Sequence, residues 1–128
     1  MDPAEFIELI IAARSGIGGH VANFVTALFA YLLVAHFVSD KLNSLQLWGI
    51  SLIYSVYAYL PANAAFQDIS TLEGLLEQFA IQHPTEADIY VQYGQGYPIG
   101  WAAIAFVSWG LSIWFMIQQR TKKNNDDA

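Results

Sequence analysis

The chain has no cysteine, and only 12% of its 128 residues are charged, against 55% hydrophobic. Without cysteine there is no disulfide framework, which excludes a stapled secreted miniprotein. Lys and Arg number 5 against 11 Asp and Glu, so the chain lacks the basic face of a nucleic-acid binder. The high apolar content excludes a disordered chain. The few charges are also unevenly placed. Residues 15–39, 42–67 and 89–119 contain no Asp, Glu, Lys or Arg. An ordinary soluble surface carries about twice this charged fraction, so the pattern points to an integral membrane protein. The length fits a single domain.

Three segments approach the roughly 20 apolar residues that a membrane-crossing helix needs: residues 20–39, 45–62 and 99–118. They are rich in aromatic and β-branched residues, which in water favour strands. In lipid every backbone polar group must be paired within its own segment, so the three are expected to be helices. A soluble bundle is the competing architecture, but these helices are apolar nearly all round and offer no solvent face. The expected fold is all-α, with three transmembrane helices running up and down.

Orientation follows from the basic residues near the span ends. With the C-terminus in the cytoplasm, Lys41, Arg120, Lys122 and Lys123 lie inside and Arg14 alone lies outside. The expected location is therefore a bacterial inner (plasma) membrane, with the N-terminus outside and residues 119–128 as a frayed cytoplasmic tail. No cleavable signal is expected, since MDPAEFIELI is acidic where a signal is basic. No lipidation motif is present either, because Cys is absent and Met1 is not followed by Gly.

Asp2, Pro3 and Glu5 form a helix-start pattern, a cap with proline in the first turn and Glu three residues on. Residues 3–15 then read as a short amphipathic helix, with Phe6, Ile7, Leu9, Ile10 and Ala13 on one side. Two placements fit it. It lies in the membrane interface, or it extends the first span, bent at Gly16, Gly18 and Gly19. Residues 40–44 read as a turn that makes the first two spans antiparallel neighbours. Residues 63–98 read as an extracytoplasmic loop. Within it, Ser70 and Glu73 resemble a capping box, and Leu72, Leu75, Leu76, Phe79 and Ala80 follow helical spacing. His83-Pro84 should end that short helix. Gly94 and Gly96 do not make a phosphate loop, since no Lys follows them.

Small and polar residues let membrane helices approach and bond across. At 100° per residue, the first span gathers Asn23, Thr26, Ala27 and Ala30 on one face, with Phe24, Val25, Leu28 and Leu32 opposite. The second gathers Ser51, Tyr54, Ser55 and Ala58. The third gathers Ala102, Ala105, Ser108 and Ser112, with Ile104, Val107, Leu111 and Phe115 facing away. These small stripes are the expected helix-packing sites, with the bulky stripes toward lipid.

No span contains a charged side chain, whereas pumps, ion-coupled transporters and voltage sensors place ionisable groups in the membrane. His20 and His36 stand about 24 Å apart along a helix at 1.5 Å per residue, too far to share a metal. The serines have no His or carboxylate at their depth to act as a base. No catalytic residue, cofactor or metal is therefore expected. The sequence reads as a small non-enzymatic membrane protein, an accessory or structural subunit of a membrane complex, whose partners are the bilayer and another membrane protein or itself. The alternative is a homo-oligomeric pore, holin-like in outline, with the small stripes lining a channel.

Overall fold

A computed structural model of the chain describes residues 1–93 and 98–126, and these are helical apart from short connections. The elements are α1 (Pro3–Val38), a single 3-10 turn (Ser39–Lys41), α2 (Ser44–Gln82), α3 (Pro84–Tyr93) and α4 (Pro98–Asp126). Two helical stretches are long and apolar enough to cross a membrane. They are Pro3–Lys41, with mean hydropathy 2.0, and Pro98–Asn125, with mean hydropathy 1.6.

α1 and α2 form an antiparallel hairpin. With 36 and 39 residues they run about 54 and 58 Å at 1.5 Å per residue. The start of α1 is capped by Asp2, whose carboxylate accepts from the Glu5 N–H while the Glu5 side chain returns to the Asp2 N–H. Asn43 and Gln46 build the same box at the start of α2. The 3-10 turn between the helices is short enough to hold them side by side.

The structure decides one open choice and corrects two expectations. First, of the two placements for residues 3–15, the extension of the first span is the one found, within the single helix α1. These residues are the first four turns of α1, and Phe6 and Ile10 are fully buried. Second, residues 63–82 are not loop but the second half of α2, which continues through Pro61. Ser70 does not cap a new helix, because its hydroxyl donates to the Phe66 carbonyl one turn back, at 3.0 Å. Proline inside a helix leaves the carbonyl four residues earlier without its donor. Here packing outweighs that cost. Leu47, Ser51, Tyr54, Ala58, Ala65, Ile69, Leu72, Leu76 and Phe79 are all buried, and their spacing of three and four holds one seam against a neighbouring helix. Third, residues 119–126 are not a frayed tail but continue α4. Residues 127 and 128, and residues 94–97 with the paired glycines, lie outside the described residues.

α2 ends at Gln82, with His83 as its cap before Pro84. α3 then folds back. Phe6, Ile10, Leu72, Leu76, Phe79 and Ala87 form one small core, with Phe6 and Phe79 stacked at 5.0 Å. The His83 ring bonds the Met1 carbonyl at 2.9 Å, and Arg14 donates to the Tyr90 carbonyl at 3.4 Å. The free ends of the hairpin thus close into a lobe. A second core, around Phe24, Tyr31, Ala35, Leu47, Tyr54, Ala58, Ala105 and Met116, joins α4 to the hairpin.

Candidate functional site: a polar seam and two lateral grooves

The centre of the three-helix region is a run of hydroxyls and rings. Tyr31 on α1 stacks on Tyr54 on α2, with centroids 4.0 Å apart and planes 11° apart. Tyr31 Oη pairs with Ser51 Oγ at 2.8 Å, and Tyr54 Oη with Ser112 Oγ on α4 at 2.7 Å. The proton directions follow from counting. The single Ser112 proton goes to the Trp109 carbonyl at 2.6 Å, so Ser112 accepts from Tyr54. The Ser55 proton goes to the Ser51 carbonyl at 2.7 Å, so Ser55 accepts from the Trp109 indole N–H at 2.8 Å. About two turns nearer the lobe, the Trp101 indole donates to the Ala62 carbonyl at 2.9 Å, and Phe24 meets Trp101 edge to face at 5.5 Å. Buried polar groups are costly when unpaired and specific when paired. This seam fixes the register of all three helices at once.

The sequence-read packing residues divide unequally. On α2, Ser51, Tyr54 and Ala58 are buried and Ser55 half-buried. On α4, Ala105 and Ser112 are buried, Ser108 half-buried and Ala102 exposed. On α1 the small stripe is not the face that packs within the chain. Asn23, Thr26 and Ala30 are exposed and Ala27 half-buried, while Phe24, Tyr31 and Ala35 are buried. Small size does not by itself mark the inner face. Phe24 turns inward because Trp101 offers an aromatic edge, which rings favour. Tyr31, Trp101 and Trp109 were missed altogether. The signal for Tyr31 was available: Phe6, Ile10, Ala13, Ile17, His20 and Phe24 keep three-and-four spacing down α1, and Tyr31 follows two turns on, seven residues after Phe24.

The displaced small face of α1 borders an open groove of about 760 Å³. Its other wall is α2, with Ile53, Tyr57, Leu60 and Pro61. A second groove, of about 580 Å³, runs between α2 and α4, walled by Tyr59, Phe66, Trp101 and Phe106. His20 stands at the lobe end of the first groove, its Nε2 3.4 Å from Asp68 Oδ2. Gly16 makes room for that carboxylate, since a Cβ there would sit 2.6 Å from Asp68 Oδ2. His36 is exposed, and its backbone carbonyl accepts from Lys123. Among the described residues no three of His, Cys, Asp or Glu stand close enough to hold a metal ion.

The two ends differ in charge. The lobe carries Asp2, Glu5, Glu8, Asp68, Glu73, Glu77, Glu86 and Asp88 against Arg14 alone. At the other end, Lys41 and the last turns of α4, with Arg120, Lys122 and Lys123, gather beside the hairpin turn. Lys123 lies 3.7 Å from Asp40, and Arg120 donates to Ser44 Oγ at 3.4 Å.

The class of protein defined so far is all-helical, with two helices long and apolar enough to cross a membrane. In comparisons with known proteins, no family model, no curated protein and no solved structure matches the chain.

Proposed function

We propose that the chain is a small integral membrane protein, crossed by α1, the first half of α2 and α4, that acts as a non-catalytic structural subunit within a membrane complex. The observation that carries this reading is the girdle of exposed large apolar side chains around the three-helix region. Phe29, Leu33, Phe37, Leu52, Ile53, Tyr57, Ile104, Phe106, Val107 and Leu111 are all more than half exposed. Water would penalise that surface at about 25 cal/mol per Å², whereas lipid and partner helices accept it. The seam is bonded to itself, so the surface left for function is lateral. The basic end belongs in the cytoplasm and the acidic lobe outside, by the positive-inside rule.

The test has two stages. Membranes are first washed at alkaline pH, where the chain should stay in the pellet. A tagged copy is then purified from native membranes in mild detergent. A stoichiometric membrane partner supports the subunit reading, and a chain that elutes alone as a monomer overturns it. A pore built of several copies is a second reading, favoured by the exposed Asn23 and Thr26, which a ring of copies would turn toward one axis. Ion flux through liposomes holding the purified chain tests it.

A further inference from the structure

We propose that the basic end of the molecule holds the phosphate of an anionic phospholipid between Arg120 on α4 and the first turn of α2, at Ser44. The proposal rests on the membrane reading above, and not on which side of the membrane this end faces.

The two long helices start differently. α1 begins on the acidic box of Asp2 and Glu5, whose carboxylates also answer the positive end of its dipole. α2 begins on the neutral box of Asn43 and Gln46, and its first turn holds no acidic residue. That box spends the Gln46 N–H on the Asn43 side chain. The N–H groups of Ser44 and Leu45 have no carbonyl one turn back to bond.

The side chain that reaches this helix start is a cation. Arg120 Nη2 lies 3.4 Å from Ser44 Oγ, at the long limit of a hydrogen bond. Its Nε is buried and has no partner among the described residues. Nε and Nη2 share one edge of the guanidinium, so the long bond and the missing bond are on the same edge. That edge is the one that can grip a phosphate with two parallel bonds. A cation at the positive end of a helix dipole is also unfavourable unless an anion stands between them. Among the described side chains the one carboxylate at this end is Asp40, and it lies 3.7 Å from Lys123. Arg120 is left without a counter-ion, with Lys41 and Lys122 exposed on the same end. A phosphate at this corner would meet the guanidinium, the Ser44 hydroxyl and the start of α2 together, as phosphates do at helix N-termini.

Depth decides for a lipid over free phosphate. Trp48 stands one turn into α2 from Ser44, and Trp114 about 9 Å before Arg120 along α4 at 1.5 Å per residue. Both are more than half exposed. Exposed tryptophan collects where hydrocarbon meets headgroups, so Arg120 and Ser44 lie just outside that level, where lipid phosphates stand. Leu45, 83% exposed, and Trp48 offer apolar surface for the acyl chains beside Ser44.

The test follows the unfolding midpoint of the full chain in neutral detergent at fixed salt, titrated with phosphatidylglycerol, phosphatidylcholine or inorganic phosphate. Phosphatidylglycerol should raise the midpoint, and the other two should not. Arg120→Gln should raise the phosphatidylglycerol concentration needed about fivefold, the worth of one basic residue near a membrane surface. Lys122→Gln should change it less than twofold. Ser44→Asp supplies a carboxylate from within the chain, so it should raise the midpoint without lipid and lose the response to phosphatidylglycerol. That variant keeps the test decisive if Arg120→Gln fails to fold. Equal effects of Arg120→Gln and Lys122→Gln would reduce the site to diffuse attraction and overturn it. A full lipid response in Ser44→Asp overturns it as well, and so does a midpoint raised equally by phosphatidylcholine or by inorganic phosphate. Loss of the chain from alkaline-washed membranes would instead overturn the membrane reading on which the site rests.

Discussion

Tyr31 and Tyr54 lie ring on ring at 4.0 Å, yet their hydroxyls go to serines on different helices, Ser51 on α2 and Ser112 on α4. One stacked pair therefore ties three helices together. The stack supplies apolar contact and the two hydroxyls supply register, so the two contributions are separable by mutation.

Tyr54→Phe keeps the stack and removes only the bond to Ser112, at a cost of about 0.5–1.5 kcal/mol. Tyr54→Ala removes both and opens a cavity, at about 3–5 kcal/mol. Combining Tyr54→Phe with Ser112→Ala should cost less than the sum of the single changes, because the two groups share one bond. Unfolding in graded detergent mixtures measures all of these. Additive costs would show that the bond does not couple α2 to α4.

Ser39 presents the reverse case. It is fully buried at the end of the hairpin, and its hydroxyl has no partner among the described residues. Removing an unsatisfied buried hydroxyl is neutral to stabilising, by up to about 1–3 kcal/mol. Ser39→Ala should raise the unfolding midpoint or leave it unchanged. A clear drop would mean that the hydroxyl has a partner outside the described residues.

The lobe has its own small core and should fail separately. Phe79→Ala deletes the ring that meets Phe6 at 5.0 Å and Tyr90 at 5.9 Å, at a cost of about 3–5 kcal/mol. Limited proteolysis should then cut within α3 and the last turns of α2 while the three-helix region stays protected. Gly74→Ala is the opposite probe. Its Cβ would meet nothing within 4 Å, so helix propensity alone acts and should stabilise by about 1 kcal/mol. Protection lost along the whole chain in Phe79→Ala would show that lobe and bundle fold as one unit.

Composition made the helices legible, and the capping pattern at Asp2 gave the start of α1. The length of α2 was not read, although the information was there. Pro61 and the polar stretch around Asp68 and Ser70 look like the end of a span and the start of a loop. The buried stripe from Leu47 to Phe79 resumes in phase on both sides of Pro61, seven residues separating Ala58 from Ala65, and that phase is the stronger constraint, because neighbouring helices enforce it on both halves. The face of α1 that packs within the chain was not legible for a different reason. Small residues mark close approach of helices but do not say which approach. Asn23, Thr26 and Ala30 line the open groove beside α2, while Phe24 and Tyr31 find aromatic partners that one-dimensional spacing does not reveal.

The last prediction is topological, and the fold sharpens it. Lys41, Arg120, Lys122 and Lys123 belong to the two ends that meet at the hairpin turn, where Lys123 reaches both the His36 carbonyl and Asp40. Four of the five Lys and Arg residues that the positive-inside rule counts thus form one cluster at one end of the molecule, while the acidic lobe, with Arg14, stands at the other. Gln82 is exposed on the lobe and Asn124 is exposed at the basic end. In intact cells, a membrane-impermeant maleimide should label Gln82→Cys, and should label Asn124→Cys only after the membrane is opened. With no native cysteine, each signal comes from the introduced residue alone. The opposite labelling would reverse the orientation, and labelling of both in intact cells would place both ends of the bundle on the same side of the membrane.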